Sequence, residues 1–273
     1  MSDGGTIVIA GISPIHSAWA MRVAGTFLQV GYTKIALLGP SQDILDDMKD
    51  ELQKHPTPEI EILTLKTDLT STESVALASY SIRSRLGAWI IFVNVLANAN
   101  GTPRTTIRGS DEDDWWRMFE VNVKSLHHVA RHFFSKMRPN AVFLNILSSN
   151  IGGAAGGQNS AESTSQVAAA RVLEFLCKEN ASSGLCAINV HVVPAAFSTR
   201  EGDTSSEFLL WCTRSEAAFL SGRTVSAGAT RERLLETRQS IESQSSALTV
   251  GLQGFSTYQA HLEGSMTWTA RPQ

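Results

Sequence analysis

Short apolar runs alternate with longer amphipathic stretches almost from the first residue. "TIVIAG" (6–11), "KIALLG" (34–39), "EIEILTLKTD" (59–68), "WIIFVNV" (89–95), "AVFLNILSS" (141–149) and "CAINVHVVP" (186–194) are near-continuous apolar segments rich in β-branched residues. Such runs predict strands buried on both faces. Between them apolar residues recur every three to four positions, which predicts helices. One ends near Val30, with Gly31 as its stop; "SQDILDDMKDELQK" follows with Ser41 as N-cap. "STESVALASYSIRSRL" (71–86) opens on a Ser-x-x-Ser turn, a long helix runs from about Glu112 to Met137, and another spans roughly 159–180. A helix near 205–217, a short strand in "RTVSAG" (223–228) and a helix at 230–242 complete the pattern.

Regular strand–helix alternation means right-handed βαβ units and a parallel sheet covered on both sides. The expected fold class is α/β, a doubly wound parallel sheet of about seven strands in a single domain. No repeat or low-complexity linker divides the chain; residues 1–255 read as the domain and 256–273 as a tail packed on it. Folds of this class bind ligands in the crevice at the carboxyl ends of the strands.

Composition narrows the function. With 42% hydrophobic and 18% charged residues the chain has an ordinary globular make-up. Its 23 basic and 26 acidic residues are intermixed, with no basic stripe for a nucleic acid. Three scattered cysteines, Cys177, Cys186 and Cys212, fit buried thiols better than disulfides or a zinc site, so no metal is expected. The start "MSDGGTIVIAG" lacks the charged and apolar regions of a secretory signal. No apolar run reaches the roughly 18 residues of a membrane span, so a cytoplasmic protein with no membrane partner is expected.

Candidate chemistry begins in the first crossover, "AGISPIHSAWA" (10–20), where Gly11 follows the strand at the point of a tight bend. Ser13 and Ser17 could donate to a phosphate beside a helix N-terminus, and His16 could face one. The second strand ends "LLGPSQ". It offers no Asp or Glu for the ribose 2′-hydroxyl of NAD, and no obvious Arg or Lys for the 2′-phosphate of NADP. Ser41 and Ser13 could bond that phosphate without charge. The missing carboxylate favours NADP(H) over NAD(H), with no cofactor at all as the other possibility.

The motifs in order resemble those of the short-chain dehydrogenase/reductase family, over roughly residues 5–255. The family's Gly-x-x-x-Gly-x-Gly loop is reduced to Gly11, with Ile15 and Ser17 at the other two glycine positions. "TDL" (67–69) ends the third strand where the family has an Asp that caps the adenine, here Asp68. "GAWIIFVNVLAN" is similar to the family's Asn-Asn-Ala-Gly strand end, keeping Asn94 and Ala97. "DEDDWWRMFEVNVKS" resembles the helix bearing the family's active-site Asn, here Asn122. "NILSSNIGG" resembles the strand that delivers its serine; Ser149 stands 13 residues before Glu162, the usual serine-to-tyrosine spacing. "VVPAAFST" resembles the loop that holds the nicotinamide amide, with Pro194, Phe197 and Thr199 in register and Ala195 replacing glycine. "FLSGRTVSAG…ALTVGLQG" resembles the ending of many fungal members of secondary metabolism. The resemblance implies a Rossmann-like fold, with Asn150, Ala196 and Trp211 at the substrate pocket.

One departure governs the chemistry. The family pairs a tyrosine, which exchanges a proton with the substrate oxygen, with a lysine one helical turn on that lowers the phenol's pKa and holds the nicotinamide ribose. Here those positions are Glu162 and Gln166. Glutamine can hydrogen-bond a ribose hydroxyl but cannot tune a neighbour by charge. A glutamate in an apolar pocket becomes a usable acid or base near neutrality; on an ordinary helix start it would simply face solvent and complement the dipole. Glu162, Ser149, Asn122 and Gln166 are the expected catalytic set. His127 and His128 read as packing or interface residues, and Trp115 and Trp116 as packing.

Two classes of function follow, with a non-catalytic binding protein as a third. The first is a biosynthetic enzyme reducing an imine, iminium or carbonyl of a bulky apolar natural-product intermediate with NADPH. Fungal indole-alkaloid members that reduce an iminium and steer a Diels–Alder cyclisation are the nearest analogy. The second is a cofactor-independent isomerase, cyclase or dehydratase on the same fold, with Glu162 as acid and base. The family's usual pairing of its two long helices implies a homodimer or homotetramer.

Overall fold

A computed structural model describes residues 5–95, 106–147, 159–192 and 201–251, with backbone only at 201–204. Seven parallel strands form one sheet in the order β3-β2-β1-β4-β5-β6-β7. They are β1 (Thr6–Ala10), β2 (Lys34–Gly39), β3 (Glu61–Lys66), β4 (Trp89–Asn94), β5 (Met137–Leu147), β6 (Cys186–His191) and β7 (Arg223–Ser226). The order reverses between β1 and β4, which opens the crevice where such sheets take ligands.

The sheet is buried on both sides because alternate residues feed two cores. Ile7, Ile9, Ile35 and Leu37 join α1 (Ser17–Gln29) and α2 (Gln42–Leu52) on one face. The same core takes in α7 (Glu201–Cys212) and two short helices, α8 (Arg231–Glu236) and α9 (Arg238–Ser243). Val8, Ala10, Ala36 and Leu38 point the other way, to α3 (Thr72–Arg85), α5 (Ser125–Phe133) and α6 (Ser160–Glu179). Phe92 stacks on Phe143 with ring centroids 5.2 Å apart and meets Phe133 edge-on at 5.0 Å, so aromatic packing ties α5 to the central strands.

The predicted strands and most helices lie where the hydrophobic pattern puts them. Gly31 ends α1 with φ +93, a conformation open to glycine. Ser71 caps α3 by accepting from the Ser74 N–H at 3.2 Å, which realises the Ser-x-x-Ser turn.

Three elements differ. The long helix expected over 112–137 is broken: α4 (Glu112–Phe119) passes into a π turn at Glu120–Lys124 before α5, and a 3-10 turn at Phe134–Lys136 ends it. Pro139 cannot continue a helix and favours extended backbone before it, so β5 starts at Met137, four residues early. The helix expected at 205–217 is α7 followed by a 3-10 turn at Ser215–Leu220. The helix expected at 230–242 splits at Thr237, whose hydroxyl donates to the Arg233 carbonyl at 2.9 Å, competing with the backbone ladder. Residues 256–273, read as a tail, lie outside the described residues. Among the described residues no helix is long and apolar enough to cross a membrane, and no cluster of His, Cys, Asp or Glu could hold a metal.

Candidate active site

The first two turns of α6 carry the two departures. Glu162 is only 7% exposed and Gln166 1%. Their burial follows from helical spacing: Ala169, Ala170 and Leu173, one and two turns on, continue the same stripe into the sheet. The strand register makes this face reliable. Asn94, Asn145 and Asn189 sit side by side on β4, β5 and β6. Asn94 Nδ2 donates to Asn145 Oδ1 at 2.9 Å, and Asn145 Nδ2 to Asn189 Oδ1 at 3.0 Å. Asn189 Nδ2 donates to the Ala170 carbonyl at 3.1 Å. This buried amide ladder clamps α6 to the sheet, and so fixes the orientation of the turn above it.

Asn122 lies in the π turn, 6% exposed. A π turn inserts an extra residue into the helix and re-aims its side chains, a device common at functional sites. Asn122 Nδ2 donates to Ser165 Oγ at 2.9 Å, and Ser165 Oγ donates to the Glu162 carbonyl at 3.0 Å. One amide hydrogen of Asn122 is therefore committed to α6; among the described residues its side-chain carbonyl oxygen accepts no hydrogen bond, so it could take one from a water or substrate. Trp115 Nε1 donates to Ser160 Oγ at 3.1 Å and pins the start of α6 to α4. These bonds hold α6, which carries Glu162 and Gln166, against α4, the π turn and the sheet. Ser149, the expected hydroxyl partner, and Asn150 lie outside the described residues, as do Ala97, Pro194, Ala196, Phe197 and Thr199.

At the other end of the crevice a cavity of about 310 Å³ is lined by Gly11, Ser13, Pro14, Pro40, Lys66, Thr67, Asp68, Leu69, Thr70, Arg117 and Val121. Gly11 takes φ +82, the left-handed turn expected after β1. Helix α1 opens without a side-chain cap, which leaves its N-terminus suited to an anion. Ser13 is buried, its hydroxyl 3.0 Å from His16 Nδ1, and burial pushes the His16 imidazole down to about 4, so it is neutral near pH 7. Partial burial pulls the Asp68 carboxyl up. Hydrogen bonds from the Thr70 hydroxyl and N–H, with the fields of Arg117 and Lys124, outweigh it and hold the group below the usual carboxylate range. An uncapped helix end, a glycine turn and a rim carboxylate around an open cavity suit the adenosine and phosphate half of a dinucleotide.

Three candidates stand differently from the sequence reading. Ile15, at the second glycine position of the family loop, is 55% exposed and projects into solvent, because the chain turns at Ser13–His16 before α1 begins. Ser17 directs its hydroxyl to the Pro14 carbonyl at 3.1 Å. Trp211, expected as a pocket wall, is buried in the core beside Phe208. Ser41 is the N-cap of α2 but makes no side-chain cap bond, because its backbone alone turns the chain into the helix. His128 is buried against the Leu69 carbonyl, a packing role, while His127 is exposed.

Several contributors went unread in the sequence. Asn145 and Asn189 were legible as lone asparagines inside apolar strands, and Ser165 as a small residue on the stripe of Glu162. Lys66 and Arg117 had no such signal, since nothing in the chain order shows them sharing a cavity. Cys212 and Cys186 are free thiols; burial raises both, Cys186 to about 11, so neither is a reactive thiolate.

Comparison with known proteins agrees with this architecture. The family model described as short chain dehydrogenase matches residues 8–207. Among curated proteins, the short chain dehydrogenase mpl6 of Monascus purpureus is 27% identical over 227 residues, covering 75% of each chain. The short chain dehydrogenase andI of Emericella variicolor is 24% identical over 245 residues, covering 82% of this chain and 81% of its own. Among solved structures, a short-chain type dehydrogenase/reductase from Mycobacterium ulcerans superposes with a TM-score of 0.71 at 16% identity, over 81% of this chain and 87% of its own.

Proposed function

We propose a function from one premise: the chain belongs to the short-chain dehydrogenase/reductase family and is an enzyme of that oxidoreductase type. The proposed reaction is NADPH-linked reduction of an imine, iminium or carbonyl in a bulky apolar biosynthetic intermediate, in some cases coupled to a stereocontrolled, Diels–Alder type cyclisation. The observation that carries it is the burial of Glu162 on the first turn of α6, with Gln166 on the same stripe. An unneeded glutamate at that position would sit in solvent, where its charge costs nothing.

Bound in the crevice, a reduced nicotinamide supplies the hydride. The chain's residues do the rest. With an iminium substrate the cation needs no proton donor, and an ionised Glu162 stabilises it in a water-poor site. With a carbonyl, a protonated Glu162 gives its proton to the developing alkoxide. Gln166 holds a ribose hydroxyl by hydrogen bond, and Asn122, fixed by Ser165, orients a water or substrate oxygen. Ser149 would supply a further donor. We place the enzyme in the cytosol. Assembly as a dimer or tetramer would use the outward faces of α4 to α6, where Trp116 and Phe175 are exposed and a groove of about 700 Å³ runs along Phe119, Val123 and His127.

A second reading, cofactor-independent isomerisation, cyclisation or dehydration with Glu162 as acid and base, is favoured by the phosphate loop, where Ile15 and Ser17 make no use of the glycine positions. One experiment separates the two. The purified chain is mixed with NADPH and a panel of bulky cyclic imines and ketones, and loss of NADPH absorbance is followed. Reduction that falls about 10²-fold in kcat in Glu162→Gln, the size of a lost acid–base group, supports the first reading. Turnover of substrate without NADPH supports the second. Unchanged rates in Glu162→Gln would clear this carboxyl of any part in the reaction.

A further inference from the structure

We propose that Lys66, at the end of β3, reads the 2′-phosphate of NADP(H) and makes this chain prefer the phosphorylated dinucleotide. The inference rests on the reading above that the crevice binds a nicotinamide dinucleotide.

The end of β2, where an acid or a base normally makes this choice, is closed to both. A Cβ at Gly39 would lie 2.2 Å from the Ile12 carbonyl oxygen, because the Ile12 N–H donates to the Leu38 carbonyl at 3.0 Å and draws the loop against the strand. No carboxylate side chain fits there for a ribose 2′-hydroxyl. The next residue, Pro40, brings neither charge nor N–H. Lys66 is the in-register partner of Gly39 on the neighbouring strand, about 4.8 Å away in a parallel sheet. It lines the same cavity as Pro40, Ser13 and Gly11. Alternation along β3 sets Lys66 on the face of Thr64, whose hydroxyl donates to Asp46 of α2 at 2.8 Å. The Lys66 N–H donates to Gln42 Oε1 at 3.0 Å, so the strand end is held against the uncapped start of α2, itself favourable to an anion.

The charges lining the cavity point the same way. Lys66 and Arg117 face a single carboxylate, Asp68, whose Oδ1 already accepts two hydrogen bonds from Thr70. Arg117 is paired with Glu120 at 3.1 Å. Among the described residues Lys66 forms no ion pair with Asp46 of α2, Asp68 or any other acid. It is the lining cation left to meet a dianionic phosphate, on a stem long and flexible enough to follow it.

The test needs no turnover. Binding of 2′,5′-ADP and 5′-AMP to the full chain is measured by calorimetry, beside Lys66→Gln and Lys66→Arg. Wild type should bind 2′,5′-ADP about tenfold more tightly than 5′-AMP, the scale of one charge-assisted hydrogen bond. Lys66→Gln should bring the two within about twofold, by weakening 2′,5′-ADP alone, and Lys66→Arg should keep the preference. Lys66 is exposed, so an unchanged melting temperature certifies the fold of each variant. A preference that survives in Lys66→Gln, or no preference in wild type, overturns the assignment while leaving dinucleotide binding intact. If neither nucleotide nor NADPH binds at millimolar concentration, the dinucleotide reading itself fails and this inference falls with it.

Discussion

Mild acid should weaken this protein through one side chain, His16. Its imidazole is buried in the loop after β1 against Ser13, and burial lowers it from 6.5 to about 4. A histidine that is harder to protonate folded than unfolded binds fewer protons in the native state. Its effect is therefore absent above about pH 6.5 and grows as pH falls toward 4. The whole gap, at about 1.4 kcal/mol per pH unit, amounts to about 3 kcal/mol, and about 2 kcal/mol of it is already lost at pH 5. His16→Asn keeps a polar group suited to the N-cap of α1 but cannot titrate. Urea unfolding of both proteins at pH 7.5 and pH 5, without nucleotide, should show wild type losing about 2 kcal/mol more than the variant, or about 5 °C in melting temperature. Any constant cost of the substitution cancels in that difference. Equal losses in the two proteins would refute a buried neutral imidazole in this loop.

Other consequences are equally direct. Asn145→Ala should cost about 3 kcal/mol in chemical denaturation, because it strands the Asn94 amide and the Asn189 carbonyl without partners in the core. Glu174 is 5% exposed, pairs with Arg171, and accepts from the Val250 N–H at 2.7 Å. Glu174→Ala should therefore cost about 2 kcal/mol and speed thermolysin cleavage within 244–251, with the helical circular-dichroism signal kept. Ser165→Ala should lower kcat in the assay above several-fold with little change in KM, since it frees Asn122 from its anchor; a change in KM alone would show that Asn122 serves binding rather than orientation.

How much of this was legible depends on what each feature rests on. The strands, their parallel arrangement and the caps at Ser71 and Gly31 follow from local chemistry: doubly buried strands must be apolar throughout, and a left-handed helix end takes glycine. The positions of Glu162, Gln166 and Asn122 could be named from spacing, because helical period and motif order survive when the residues themselves change. The break of the long helix at Glu120–Lys124 could not, since a π turn adds a residue without a sequence mark. Trp211 misled for a related reason: an aromatic residue reads the same whether it walls a pocket or fills a core, and its neighbours in space decided for the core.

Order along the chain therefore determined the sheet, its helices and the places where chemistry could occur, because those depend on periodicity and on residues within a few turns of one another. Folding decided which of those places meet. It joined Asn122 to Ser165, 43 residues apart, laid Asn94, Asn145 and Asn189 side by side, and set Lys66 beside Gly39 at the mouth of one cavity. Strand register and helix packing fix such distances, and neither is encoded in any single stretch of sequence.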